Sequence, residues 1–206
     1  MPEEHSVTAY DLFGDLQDRL QLEWICGPTG DDAPALSPLD LTERPSAAGF
    51  LNLVHPNRVQ VVGGEESAYL DGLDDAALAV TVEQMFVRRP LAILFGDGLD
   101  VPGPVRARAA DSPTALIRSS LRSHELVSYL DYHIARSLAR RVTLHGVFME
   151  MFTIGVLITG DPASGKSELA LELLTRGHRL IADDAPEFSQ ISPEIIEGTC
   201  PEVLQD

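Results

Sequence analysis

The chain has 206 residues, 44% of them hydrophobic and 23% charged, enough to bury a sizeable core in one large or two small domains. Fifteen Lys and Arg against 32 Asp and Glu give a formal charge of −17, which argues against general binding to nucleic acid or to an anionic membrane. No apolar run approaches the ~20 residues of a membrane span, the acidic start Met1-Pro2-Glu3-Glu4-His5 lacks a signal-peptide apolar stretch, and Cys26 and Cys200 have no metal spacing, as suits free or buried thiols in a reducing cytoplasm.

In chain order, Val7 to Leu20 patterns as a short amphipathic helix weakened at Gly14, and Leu22 to Cys26 is strand-like, broken by Gly27-Pro28-Thr29-Gly30-Asp31-Asp32. Residues 33–48 hold three prolines and read as a loop. Arg58 to Val62 alternates as a strand closed by Gly63-Gly64, and Asp74 to Arg89 carries Ala77, Leu78, Val82, Met85 and Phe86 at helical spacing. Leu91 to Phe95 is a continuous apolar strand, Pro102 to Ala110 a helix, and Ala115 to Arg118 a further strand. Strands alternating with helices predict a small parallel-sheet α/β domain. Ser120 to Arg141 reads as one long helix, with Leu121, Val127, Leu130, Ile134 and Leu138 on one side. Arg136, Arg140 and Arg141 suit its negative C-terminal end. Such a connector places a boundary near residue 135, giving domains 1–135 and 136–206. Val142 to Phe152 is strand-forming, with Gly146 inside it.

The most informative stretch follows. Ile154 to Thr159 is an apolar run of strand length, and it feeds Gly160-Asp161-Pro162-Ala163-Ser164-Gly165-Lys166-Ser167, after which Glu168 to Leu174 continues as a helix. This is the G-x-x-x-x-G-K-S pattern in its strand–loop–helix context, a P-loop. Glycines at its ends allow torsions that turn successive N–H groups inward around phosphate, and the helix adds the positive end of its dipole. Lys166 supplies a point charge for the β/γ-phosphates of ATP, and the Ser167 hydroxyl a ligand for Mg²⁺. Arg179-Leu180-Ile181-Ala182 then ends in Asp183-Asp184. Carboxylates at such a strand end hold Mg²⁺ or its water, or take a proton from an attacking hydroxyl; the plainer alternative is an exposed turn. His145 stands a strand and a turn before the loop and, taken alone, reads as a packed or solvated residue. His178 is similar, with Gly177 beside it a helix C-cap.

Thr143-Leu144-His145-Gly146-Val147, the loop Gly160 to Ser167, and the run Leu171 to Asp184 containing Arg176-Gly177-His178-Arg179-Leu180-Ile181-Ala182-Asp183-Asp184 together resemble the bacterial HPr kinase/phosphorylase family. The likeness extends more weakly to Arg58 to Gly63, Glu66 to Leu70 and the connector helix, and Ile196 to Pro201 is similar to the proteobacterial branch. It implies a small N-terminal parallel-sheet α/β domain followed by the first part of a P-loop kinase domain. It also implies ATP-dependent phosphorylation of a serine of the phosphocarrier protein HPr, reversed by phosphorolysis with release of pyrophosphate, in a cytoplasmic hexamer. On this likeness Gly160, Asp161, Pro162, Ala163, Ser164, Gly165, Lys166 and Ser167 bind the nucleotide, and Ser167 contacts Mg²⁺. Lys166 and His145 are active-site residues. Asp184 is base in the forward direction and acid in reverse, with Asp183 beside it and an exchange of their roles left open.

Two departures stand out. Asp161 to Ser164 differs from the serine and small residues usual in the family, and Pro162 removes one N–H donor. The sequence also ends at Asp206 without the family's Glu-x-Arg-Gly-Leu-Gly segment, which carries a second Mg²⁺ ligand. Glu187, Glu194, Glu197 and Glu202 read as solvated residues scattered among turns and do not replace it, so transfer by this chain is expected to be impaired. Two other readings remain: a P-loop kinase of a small metabolite, and a non-catalytic regulatory or interaction module. A screen of phosphoryl acceptors separates the metabolite kinase from the HPr kinase, and whether the reading frame continues past Asp206 bears on the non-catalytic module.

Overall fold

The structure is a computed structural model that describes residues 6–30, 33–43, 46–192 and 194–200. The acidic N-terminal start, Asp31, Asp32, Pro201 and Glu202 lie outside the described residues. The chain divides into two compact units, Met1–Leu138 and Ala139–Asp206.

In the first unit the elements run β1 (Val7–Thr8), α1 (Ala9–Leu20), β2 (Leu22–Cys26), β3 (Ala35–Leu36), α2 (Pro38–Glu43), β4 (Ala48–Phe50), β5 (Val59–Val62), α3 (Gly64–Asp71), α4 (Asp75–Val87), β6 (Ala92–Phe95), α5 (Gly103–Ala110), β7 (Ala115–Ser119) and α6 (Ser123–Ser137). Their main sheet has the order β2-β7-β6-β5-β4, parallel from β4 to β7 with β2 antiparallel at one edge. Every residue of β5 and β6 is buried, as parallel strands covered on both faces must be. Leu12, Leu16 and Leu20 of α1 and Leu126, Leu130 and Ile134 of α6 pack with Val59, Val61, Leu94 and Ile117 on one face. Leu70, Val82, Met85, Phe86 and Val105 pack with Val62, Ile93, Phe95 and Leu116 on the other.

Local signals explain where helices start. Thr8 and Asp11 form a capping box on α1, and Asp74 accepts from the Ala77 amide at 2.8 Å to open α4. Asp97, at φ 57°, accepts from Gly64 N at 3.1 Å and Ser123 N at 2.9 Å, so one carboxylate serves the first turns of both α3 and α6. Burial by itself raises the Asp97 carboxyl, but the hydrogen bonds from Ser123 and Gly64 outweigh it and hold the group below its usual value.

Residues 33–48, a loop by composition, contain β3, α2 and the first residue of β4. Asp40 Oδ2 accepts from Ser37 N at 2.8 Å and Ser37 Oγ at 3.0 Å, and Pro38 suits the first helical position, so a cap in the sequence builds α2. The long helix expected from Ser120 to Arg141 is shorter. Helix α6 ends at Ser137 with Leu138 as its cap, and Arg140 lies beyond it. Arg141 opens a strand and pairs with Glu187 at 3.3 Å.

The second unit holds β8 (Arg141–Thr143), β9 (Val147–Met151), β10 (Ile154–Ile158), α7 (Lys166–Thr175), β11 (Arg179–Ala182), β12 (Glu187–Ser192) and β13 (Ile195–Thr199). They form two three-stranded antiparallel sheets, β10-β9-β11 and β13-β12-β8. Ala170 and Leu173 of α7 pack on Val147, Met149 and Ile158, and Phe148 meets Phe188 edge-on at 5.0 Å. The single strand expected from Val142 to Phe152 is broken at Gly146, whose φ is 154°, so β8 and β9 join different sheets. Glu187 and Glu197, expected among turns, lie on β12 and β13, because each strand finds its partners far along the chain. Leu169, Leu171 and Leu174 on the other face of α7, and Ile154 on the edge strand β10, are exposed. No helix among the described residues is long and apolar enough to cross a membrane.

Candidate functional site

Strand register assembles the site. β10 runs antiparallel to β9 with Ile158 opposite Val147, and β11 lies on the other side of β9 with Ala182 opposite Phe148. The P-loop that follows Ile158, the His145 that precedes Val147, and the Asp183-Asp184 pair that follows Ala182 therefore leave one end of one sheet. His178 stands at the opposite end, beside the Arg179–Glu150 pair, with its ring against Phe152 at 5.0 Å. It takes no part in the site.

The loop is shaped by backbone torsion. Ala163 at φ 63° and Gly165 at φ 88° are left-handed, and Ser164 N closes a turn onto Asp161 O at 3.1 Å. A Cβ on Gly160 would lie 2.8 Å from Ser164 Oγ, so a larger residue there would require the Ser164 hydroxyl to rotate away. Lys166 Nζ reaches across and donates to Gly160 O at 2.8 Å and Asp161 O at 2.9 Å. Its charge thus sits at the mouth of the loop, directly after which α7 begins with N–H groups that have no intrahelical partner. Helix dipole, amides and ammonium together are groups that could hold a phosphate chain.

Across the sheet end, His145 Nδ1 donates to the Asp184 carbonyl at 3.0 Å, and Gly146 N donates to the same oxygen at 3.2 Å. Leu144 N adds a bond to Pro186 O at 3.1 Å. A carbonyl can only accept, so the contact requires a proton on Nδ1. His145 Nδ1 is also 3.5 Å from Asp184 Oδ1. Asp184 itself is at φ 76°, an uncommon torsion for a residue with a side chain. The His145 and Asp184 side chains are 90% and 87% exposed, open to an approaching macromolecule. Asp183 is exposed beside them. The His145–Asp184 backbone contact spans 39 residues and has no signature in the sequence.

Among the described residues no three His, Cys, Asp or Glu side chains converge as a metal cage. A Mg²⁺ ion that comes with a nucleotide keeps several waters and needs only one or two protein oxygens beside the substrate phosphates. Exposed Ser167 and the acidic strand end carry oxygens of the right kind.

Known proteins match nearly all of this chain in sequence. A family model described as "HPr Serine kinase N terminus" matches residues 7–134, and one described as "HPr Serine kinase C-terminal domain" matches residues 136–206. The chain is 53% identical over 201 residues to the HPr kinase/phosphorylase of Xanthomonas euvesicatoria pv. vesicatoria (strain 85-10), and 52% identical over 201 residues to that of Xanthomonas campestris pv. campestris (strain B100). Each match takes in 98% of this chain, which spans 64% of the length of either relative. The solved Hpr(Ser) kinase/phosphatase from Coxiella burnetii is 44% identical over a match covering 30% of this chain and 37% of that one, with a TM-score of 0.28.

Proposed function

This chain belongs to the HPr serine kinase family, and from that premise we propose that it transfers the γ-phosphoryl group of ATP to a serine of HPr and reverses the transfer by phosphorolysis. In the forward step the serine oxygen attacks the γ-phosphorus, the bond to ADP breaks, and Asp184 takes the hydroxyl proton. In reverse, an oxygen of inorganic phosphate attacks the phosphoserine phosphorus, the bond to the serine oxygen breaks to give pyrophosphate, and Asp184 returns its proton to that serine oxygen. Asp183 is the alternative holder of this role. Lys166 and the amides from Gly160 to Ser167 hold the phosphate chain, while Ser167 is the protein ligand of Mg²⁺, which when bound neutralises charge on the transferred group. His145 steadies the turn that presents Asp184. Residues 1–135 form the N-terminal domain in this reading and 136–206 belong to the catalytic one; the enzyme works in the cytoplasm as a hexamer.

One observation carries the reading: the phosphate loop, His145 and Asp184 share one end of the β10-β9-β11 sheet. A phosphate site and a carboxylate within the same sheet end are what phosphoryl transfer by positioning and proton abstraction requires.

The test is transfer from γ-labelled ATP with Mg²⁺ to HPr. It is run on the 206-residue chain and on a chimera supplying the part of the X. euvesicatoria relative outside the match. Serine labelling of HPr by the chimera, with less by the shorter chain, is expected. Asp184→Asn in the chimera should lower both directions by about 10²–10⁴-fold while sparing nucleotide affinity. A chimera that labels a small metabolite in place of HPr refutes the substrate. Loss of the forward reaction alone in Asp184→Asn refutes the single-group mechanism.

A further inference from the structure

The first unit contains a cavity of about 320 Å³ at the N-terminal ends of its parallel strands, away from the ends where Asp97 already satisfies two helix starts. Its lining includes Arg58, Arg88, His55 and Asp40. Arg58 immediately precedes β5, and Arg88 caps α4 just before β6, so two parallel strands deliver two guanidinium groups to one hollow. In a chain with only 15 Lys and Arg against 32 acidic residues, that is an uncommon concentration of positive charge.

Of the described acidic groups nearby, Asp131 is taken up by Ser46 and backbone amides, and Asp40 is shared between α2 and an ion pair with Arg58. Asp40 directs Oδ2 to Ser37 N and Ser37 Oγ at 2.8 and 3.0 Å, where it caps α2. Its Oδ1 lies 3.5 Å from Arg58 Nε, and that nitrogen is buried without a hydrogen-bond partner among the described residues. Asp131 Oδ1 accepts from Ser46 Oγ and from the amides of Ala47 and Ala48. Arg88 makes no ion pair among the described residues. A buried guanidinium N–H left unbonded is costly unless a ligand meets it. Arginine pairs match phosphate oxygens bidentately. The remaining lining, Ala47, Val54 and Pro56 with Ser46, offers more room than a bare ion fills and suits a short carbon skeleton with a hydroxyl.

We propose that this cavity binds a phosphate dianion, carried by a small phosphomonoester or free in solution, between Arg58 and Arg88. The site belongs to the first unit and does not depend on the phosphate loop.

The experiment titrates the 206-residue chain carrying Lys166→Ala, which disables the phosphate loop, with glycerol 3-phosphate, inorganic phosphate, succinate and sodium chloride. Backbone amide shifts are followed by NMR. The phosphate compounds should shift residues 46–58 and 88–89, and Arg88→Gln, at an exposed position, should weaken the effect about tenfold or more. Arg58→Lys, which keeps the charge but not the fork, should weaken it as well. Tighter binding of glycerol 3-phosphate than of phosphate assigns a phosphomonoester; equal binding assigns the free ion. Shifts that succinate or chloride reproduce, that survive Arg88→Gln, or that never appear in the first unit overturn the proposal.

Discussion

Replacing Gly146 by alanine tests how the sheet end holds the site. At φ 154° the backbone is in a region that side chains rarely enter, and a Cβ there would lie 2.6 Å from the Ile158 carbonyl oxygen and 3.0 Å from Leu157 Cδ1. The first contact is with backbone, which cannot rotate away. Strain of about 1–3 kcal/mol from the torsion and a similar amount from overpacking place the cost at about 2–6 kcal/mol. Relief requires β9 and β10 to part where the phosphate loop begins, which also draws His145 off the Asp184 carbonyl. The sole tryptophan, Trp24, reports on the first unit, so the readout is amide hydrogen exchange in β9 and β10, together with ATP affinity by calorimetry. Both should fall. The matching control is Gly14→Ala on the exposed face of α1, where a Cβ meets nothing within 4 Å. There the same change should stabilise by about 0.5–1 kcal/mol, seen in denaturant unfolding followed at Trp24, whose ring packs against Tyr10 and Phe13 of that helix. Unchanged exchange in Gly146→Ala would refute the steric argument.

Lys166→Ala should weaken binding of ATP or pyrophosphate with Mg²⁺ by about 1.5–3 kcal/mol, the range of hydrogen bonds to a charged group; equal affinity by calorimetry would remove the lysine from the site. Because hydrogen bonds hold the Asp97 carboxyl below its usual value in the folded state, its stabilising effect is present above the ordinary aspartate range and is lost as pH falls through the folded value. Acid titration of unfolding at Trp24 should show this loss in the wild type and less of it in Asp97→Asn. Gln60 is fully buried in β5, and neither its Nε2 nor its Oε1 has a hydrogen-bond partner among the described residues. Gln60→Met should therefore raise stability by about 1–3 kcal/mol, and a fall in the denaturation midpoint would mean that the amide has a partner such as a buried water.

The parts of this protein legible in its sequence are those encoded in short windows. β2, β5, β6 and β7 follow from apolar runs, and α4 from its 3.6-residue period behind the Asp74 cap. The phosphate loop is legible because glycines, lysine, serine and the flanking strand and helix occupy one contiguous segment. α2 is obscured because three prolines outweigh a cap that is nonetheless present at Ser37 and Asp40. α6 reads too long because its apolar period reaches Leu138 and arginines that suit a helix end follow, whereas Arg141 is claimed by Glu187, 46 residues on.

The residues themselves thus determine the α/β character of the first unit and the chemistry of the phosphate loop. Only the tertiary structure decides that His145 and Asp184 meet, that β8 and β9 part at Gly146, and that Arg58 and Arg88 line one hollow. Helix periods, caps and loop torsions are energies of neighbouring residues. Strand partnership and the convergence of strand ends depend on contacts between segments far apart in sequence, selected by burial of both sheet faces, and no local window carries that information.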